Sequence, residues 1–169
     1  RNFRFSQGGS TLTQQLVKNL FLTREKTIIR KVKEAIISFY IEATYSKEEI
    51  IQSYLNNVYW GSSNGIEIRG VFAASIYYFR KSPLELSQTE SSILISLLKG
   101  PTYYSPKNRL ERLKARVKTI TVKLEELSFL DKTERDSWSS INWRNWQKTL
   151  MMNNSMGVVQ FLLKQRKIK

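Results

Sequence analysis

Helix-start signals repeat along this 169-residue chain and constrain its fold more than any other feature. The pattern Ser-x-x-Glu begins at Ser46, Ser82 and Ser87. In such a capping box the serine side chain accepts a hydrogen bond from an amide of the first turn, and the glutamate side chain accepts one from the serine amide. Only three prolines and seven glycines are available to interrupt helices. Since strand signals are nearly absent, the sequence predicts a mainly α-helical domain.

A long apolar pattern predicts the helix at the centre of this domain. Between residues 27 and 45, apolar side chains recur at helical spacing and form one broad face. This face consists of Ile28, Ile29, Val32, Ala35, Ile36, Phe39, Tyr40 and Ala43. Arg30 and Glu34 lie on the opposite side, and Ile37 and Ile41 extend that side. Because the second half of the helix is apolar almost all round, we expect the helix to be buried.

The charge of the chain indicates an anionic partner. Lysine and arginine number 28 against 14 acidic residues, which gives a formal net charge of +14. Nucleic acid, anionic lipid headgroups and phosphorylated substrates all suit this charge, and charge alone does not choose among them. The chain contains neither histidine nor cysteine. Carboxylates are therefore the candidate groups for acid–base chemistry, and metal sites with imidazole or thiolate ligands are excluded.

A glycine turn before a helix is the first candidate binding element. Gly8 and Gly9 allow a tight turn, and Ser10 can cap the helix that follows. The exposed amides and the positive end of the helix dipole then favour an anion. The polar side of this helix carries Thr11, Gln14, Gln15 and Lys18. An ordinary glycine turn with a serine cap explains the same residues, so the residues alone leave both interpretations open.

A glutamate in a cationic segment is the second candidate. Arg30, Lys31 and Lys33 surround Glu34 in sequence, and their field favours the ionised carboxylate. A solvated Arg30–Glu34 helix pair, worth about 0.3–0.5 kcal/mol, is the simpler interpretation. However, the positive charge exceeds what one carboxylate needs, and it follows a helix start suited to anions. The two segments together favour a phosphate-bearing ligand.

Motif order reveals a resemblance to one protein family. Residues 8–15 match the pattern Gly-x-Ser-Thr-x-Thr-Gln-Gln, and residues 30–34 match Arg-Lys-x-x-Glu. Residues 47–56 match Lys-x-x-Ile-x-x-x-Tyr-Leu-Asn, and residues 69–79 match Arg-Gly-x-x-x-Ala-x-x-x-Tyr-Phe. With these four motifs in order, the chain resembles the family 51 glycosyltransferases, the peptidoglycan glycosyltransferases of bacteria, over roughly residues 1–135.

The resemblance implies a bilobed, lysozyme-like helical domain whose smaller lobe touches the membrane. It implies polymerisation of lipid II into β-1,4 glycan strands with release of undecaprenyl pyrophosphate. The implied partners are lipid II, the growing glycan chain, the membrane surface and other proteins of cell-wall synthesis and division, and not nucleic acid. The implied location is the outer or periplasmic face of the bacterial cytoplasmic membrane, with an anchor outside this chain.

Residue roles carry over from the resemblance only where positions match. Glu34 matches the family's second glutamate, which orients the pyrophosphate or its metal, and it is the candidate catalytic residue. Fixed cations stabilise the charge that grows on the leaving pyrophosphate. The substrate-binding candidates are Ser10, Gln14, Lys18, Lys26, Arg30 and Lys31. The structural candidates are Thr11, Gln15, Asn56 and Arg69. A divalent metal, Mg²⁺ or Mn²⁺, suits this chemistry without an assigned ligand set, and no organic cofactor is implied.

The family's first motif, Glu-Asp-x-x-Phe-x-x-His-x-Gly, has no match in this sequence. The glutamate of that motif is the principal base, and Glu34 is a poor substitute because cations surround it. We therefore expect a fragment that does not polymerise lipid II on its own. Residues 136–169 are predicted to form a separate tail of undefined role. Both a monofunctional parent and a truncated bifunctional parent fit the sequence.

Two other functions stay open at the level of sequence. A non-catalytic member of the family would bind a lipid-linked precursor or act as a scaffold for other cell-wall enzymes. A nucleic-acid-binding helical protein would interleave basic and exposed aromatic residues along one face. The first basic stretch instead carries apolar residues on the predicted core side of its helix. The sequence therefore favours the lipid-linked substrate.

Overall fold

The computed structural model describes residues 11–21 and 27–152 of the chain. Within these ranges the chain forms eight α-helices, two short 3₁₀ helices and one two-stranded sheet, so the prediction of a mainly α-helical fold is confirmed. Two predicted substrate-binding residues, Ser10 and Lys26, lie outside the described residues, as do the two glycines of the predicted turn. The chain divides into two compact units, Arg1–Val58 and Tyr59–Lys169.

The described residues of the first unit form three helices. They are α1 (Leu12–Phe21), α2 (Ile28–Thr44) and α3 (Lys47–Asn57). The predicted capping box at the start of α3 is present: Ser46 Oγ accepts from the Glu49 amide at 3.2 Å, and Glu49 Oε2 accepts from the Ser46 amide at 2.8 Å. Leu16 of α1 and Ile50 of α3 are buried in the core of this unit.

The orientation of α2 is the main departure from the sequence-based prediction. The broad apolar face is exposed, with Ile28 at 85% and Phe39 at 76%, whereas Glu34 is only 1% exposed. Helices α1 and α3 both contact α2. On the Glu34 side, Ile41 lines a cavity together with Leu16 of α1 and Ile50 of α3. The prediction of a buried apolar face is therefore wrong, because the neighbouring helices of the unit pack on the narrower side that carries the ion pair.

The second unit begins with an antiparallel hairpin that the sequence analysis missed. Strand β1 (Tyr59–Ser63) pairs with β2 (Ile66–Arg69), and Ser63 lies opposite Ile66. The two-residue turn is Asn64-Gly65, with φ of 50° and 79°. Positive φ at both positions is the geometry of the tight turns that join twisted strands, and Asn-Gly is the sequence signal for it.

Five further helices follow in the described residues of the second unit. They are α4 (Val71–Phe79), α5 (Gln88–Leu98), α6 (Leu110–Glu126), α7 (Lys132–Asp136) and α8 (Trp143–Met152), with 3₁₀ helices at Pro83–Glu85 and Ser137–Ser140. The capping boxes predicted at Ser82 and Ser87 are both present. The core includes Trp60, Ile76 and Leu97, each no more than 1% exposed.

Helix α8 lies within the segment that was predicted to be a tail. The Trp146 ring stacks on Phe79 of α4 with ring centroids 5.7 Å apart, and its Nε1 donates to the Tyr78 carbonyl at 2.9 Å. This part of the segment therefore packs against the second unit. The predicted boundary between residues 1–135 and 136–169 stays a prediction.

Candidate functional site

A buried glutamate on α2, paired with a half-exposed lysine and a mostly buried arginine, is the centre of the candidate site. The Glu34 side chain is 1% exposed, and its Oε1 accepts a hydrogen bond from Lys31 Nζ. The Arg30 Nη1 atom lies 4.0 Å from Glu34 Oε2, and the Arg30 side chain is 15% exposed. Two polar atoms of this group, Arg30 Nε and Glu34 Oε2, are buried without a hydrogen-bond partner among the described residues. The group can therefore both donate to an anion and accept from a cation.

The geometry of this group follows from the helix that carries it. Thr27 Oγ1 accepts from the Arg30 amide at 3.2 Å and fixes the start of α2. Residues three and four apart on a helix share one face, so Lys31 and Arg30 both reach Glu34. One turn further on, Ser38 is buried and its Oγ donates to the Glu34 carbonyl at 2.6 Å. Helical spacing predicts that Arg30 and Glu34 share one side of α2, but it does not predict that this side is buried.

Helix α1 uses two of its predicted site residues for its own start. Thr11 Oγ1 accepts from the Gln14 amide at 3.2 Å, and Gln14 Oε1 accepts from the Thr11 amide at 3.3 Å. This reciprocal pair is a capping box. In the described residues Thr11 thus makes the capping hydrogen bond that the sequence analysis gave to Ser10. Substrate contact by Gln14 stays a prediction.

Gln15 joins two helices of the first unit. Its Oε1 accepts from the Tyr54 hydroxyl of α3 at 3.3 Å. Burial raises the pKa of Tyr54, so the hydroxyl keeps its proton and acts as a donor. Lys18 lies exposed near the end of the same helix, and the Glu34 ion pairs in the described part of the chain involve Arg30 and Lys31. The structure therefore groups two of the predicted cations with Glu34.

Asn56 and Arg69 lie in different units. Asn56 is exposed in the last turn of α3. Arg69 ends β2, where its Nε donates to Glu67 Oε2 at 2.7 Å and its guanidinium carbon lies 5.8 Å from the Tyr59 ring centroid. The structural roles that the resemblance implies for these two residues stay predictions.

Comparison with known proteins places the chain in a family. The family model for transglycosylases matches residues 1–125, and the chain belongs to this family. It is 47% identical to penicillin-binding protein 1B of Haemophilus influenzae over 110 residues, which are 63% of this chain and 14% of that protein. It is 40% identical to penicillin-binding protein 1F of Bacillus subtilis over 128 residues, 76% of this chain and 17% of that protein.

A third relative shows a similar extent of likeness. Penicillin-binding protein 1A of Aquifex aeolicus is 44% identical over 127 residues, 75% of this chain and 17% of that protein. The chain thus spans 14–17% of the length of these three relatives. The family resemblance drawn from the motifs is confirmed over most of the predicted range.

Proposed function

We propose that this chain belongs to a peptidoglycan glycosyltransferase that polymerises lipid II into β-1,4 glycan strands and releases undecaprenyl pyrophosphate. The observation that carries the proposal is the buried Glu34 carboxylate with its two cations, Arg30 and Lys31. Arg30 Nε and Glu34 Oε2 have no hydrogen-bond partner among the described residues, so they suit a pyrophosphate and its counter-ion. Membership of the transglycosylase family and likeness to penicillin-binding proteins support a role in cell-wall synthesis. Lipid-linked pyrophosphate also accounts for the net charge of +14.

The proposed chemistry assigns the cations to the leaving group. When the acceptor hydroxyl attacks the anomeric carbon, the bond to the pyrophosphate breaks and negative charge grows on the departing oxygens. Arg30 carries a buried Nε–H that has no hydrogen-bond partner among the described residues. It can therefore donate to these oxygens without breaking an existing hydrogen bond. Donors already fixed in place stabilise the transition state more than the ground state. Glu34 positions Arg30 and Lys31 for this task.

A divalent metal is part of the proposal because the Glu34 carboxylate can serve as one of its ligands. Mg²⁺ and Mn²⁺ prefer carboxylate oxygens, and Mg²⁺ commonly takes one or two carboxylates together with substrate phosphates. Glu34 Oε2 is buried and free of hydrogen bonds from the described residues, so it offers one such oxygen. Residues 11–21 and 27–152 contain no cluster of three or more acidic residues suited to a metal, so phosphate oxygens would complete the coordination. When bound, the metal would neutralise charge on the leaving group.

Location and partners belong to the same proposal. A lipid-linked substrate lies in the membrane, so the protein would work at the outer or periplasmic face of the bacterial cytoplasmic membrane. The growing glycan chain and other proteins of cell-wall synthesis and division would be its partners. In the part of the chain that the structure describes, no helix combines the length and apolar content needed to cross a bilayer.

Binding of labelled lipid II in detergent micelles to the purified chain tests the proposal. Arg30→Gln is expected to weaken binding about tenfold, the loss of one charge-assisted contact. Arg144→Gln, which removes the same charge from the exposed surface of α8, should change it by less than about twofold. Equal losses in the two variants would mean that bulk charge and not this site binds the lipid. The expectation that the chain alone forms no polymer stays a prediction, which is why the readout is binding.

A further inference from the structure

A small polar cavity in the second unit contains none of the residues on which the function proposed above rests. It measures about 160 Å³ and lies between the hairpin, α4 and the loop of residues 101–108. Its walls include Ser62, Tyr77, Ser105 and Lys107. A volume of this size has room for several water-sized groups. The volume suits a compact polar ligand.

Lys107 brings a cation to this cavity without an acidic partner. Its Nζ lies 3.4 Å from the hydroxyl of Ser63, which is buried, and 5.7 Å from the centroid of the Tyr77 ring. Both contacts are with neutral groups, and none of the ion pairs within the described ranges includes Lys107. The half-buried ammonium is therefore held in place by neutral contacts, with its charge uncompensated at the cavity wall.

Tyr77 contributes a hydroxyl that has no protein partner in the described residues. The side chain is 1% exposed and its hydroxyl oxygen is buried. The adjacent Tyr78 shows the contrast, because its hydroxyl donates to the Trp60 carbonyl at 2.8 Å. Buried polar groups are nearly always hydrogen-bonded, so an unpaired hydroxyl on a residue that lines the cavity indicates an acceptor that is not part of the described chain. Tyr77 therefore offers a donor beside the Lys107 cation.

We propose that this cavity binds a small oxyanion, a carboxylate or a phosphate group. The Lys107 ammonium supplies the charge, the Tyr77 hydroxyl donates a hydrogen bond, and the serine side of the wall is polar. An oxyanion accepts from both donors and compensates the ammonium, which a neutral ligand of the same size does not do. The inference is independent of the lipid II proposal, since that proposal rests on residues of the first unit.

Titration of the purified chain with inorganic phosphate and with acetate, at constant ionic strength, tests this inference by nuclear magnetic resonance shifts. We expect saturable binding of one or both anions with shifts confined to the cavity. Lys107→Met should weaken binding at least about tenfold. The matched control Lys123→Met, which removes a lysine from an exposed ion pair with Glu126, should leave it unchanged.

A second variant separates the anion site from a merely structural role of the lysine. Tyr77→Phe keeps the ring under the ammonium and removes only the hydroxyl, so the fold should persist while anion binding falls about threefold to tenfold. Saturation by acetate alone would identify a carboxylate ligand, and saturation by phosphate alone a phosphate ligand. A non-saturating response to both anions would overturn the inference. Equal effects of the Lys107 and Lys123 variants would do so as well.

Discussion

At the residue scale, Glu34 combines burial with incomplete hydrogen bonding. Its carboxylate is 1% exposed, Lys31 occupies one oxygen, and Arg30 lies 4.0 Å from the other. A buried carboxylate is costly unless paired, and these two cations provide the pairing. Oε2 accepts no hydrogen bond from the described residues, so it is the position at which a metal ion or a ligand donor would complete the group. This residue therefore links the stability of the first unit to its proposed chemistry.

Substitution of Glu34 by glutamine tests this link. We expect Glu34→Gln to lower the free energy of unfolding by about 1–3 kcal/mol, because it leaves Arg30 in a mostly buried position without its counter-charge. Chemical denaturation followed by circular dichroism measures the change. Glu126→Gln is the matched control, since Glu126 also pairs with a lysine three residues earlier but is exposed. Its expected cost is below about 0.5 kcal/mol, and an equal cost in both variants would contradict the burial of Glu34.

The sequence predicted which residues pair at this site, but it did not predict that Glu34 is buried. Helical spacing alone puts Arg30 and Glu34 on one side of α2, and the structure confirms the pair. It does not reveal that this side is the buried one, because burial depends on which helices pack against it. The reciprocal pair of Thr11 and Gln14 was missed although Thr-x-x-Gln is a capping pattern, since the serine before it was taken as the cap.

At the element scale, both faces of α2 carry apolar side chains that could be buried in a core. The face predicted to be buried is exposed, with Ile36 at 64% and Tyr40 at 66%. The opposite face carries the buried Glu34 and Ser38, and its Ile41 lines a cavity with residues of α1 and α3. Apolar periodicity shows which residues can be buried but not which elements are present to cover them. The hairpin was missed for a related reason: its strands have five and four residues, and only the Asn-Gly turn marks it.

Truncation of one side chain on each side of the unit tests the orientation of α2. Ile36→Ala should change the free energy of unfolding by no more than about 0.5 kcal/mol, because the side chain is mostly exposed. Leu16→Ala of α1, where the side chain is 3% exposed, should cost about 2–5 kcal/mol. Urea denaturation of both variants gives the comparison. A cost for Ile36→Ala comparable to that for Leu16→Ala would show that the apolar face of α2 is buried after all.

At the scale of the whole molecule, local sequence signals predicted the fold class. They did not predict contacts between residues that are far apart in the chain. Capping boxes are encoded within four residues, so the helix starts at Ser46, Ser82 and Ser87 were found from sequence. Trp146 packs on Phe79 although the two residues are far apart in sequence, and no local pattern predicts this contact. The net charge of +14 indicates an anionic partner. The sequence argument against nucleic acid relied partly on a buried apolar face of α2, and that face is exposed, so the preference for lipid-linked pyrophosphate now rests on the ordered motifs.

The most direct test of the central claim compares these two anionic partners. The purified chain is titrated with labelled lipid II in micelles and, at the same ionic strength, with a labelled single-stranded DNA in the same detergent. We expect lipid II to bind at least about tenfold more tightly, a difference of about 1.4 kcal/mol, and rising salt to weaken the DNA complex more steeply. DNA binding as tight as lipid II binding would contradict the proposed function.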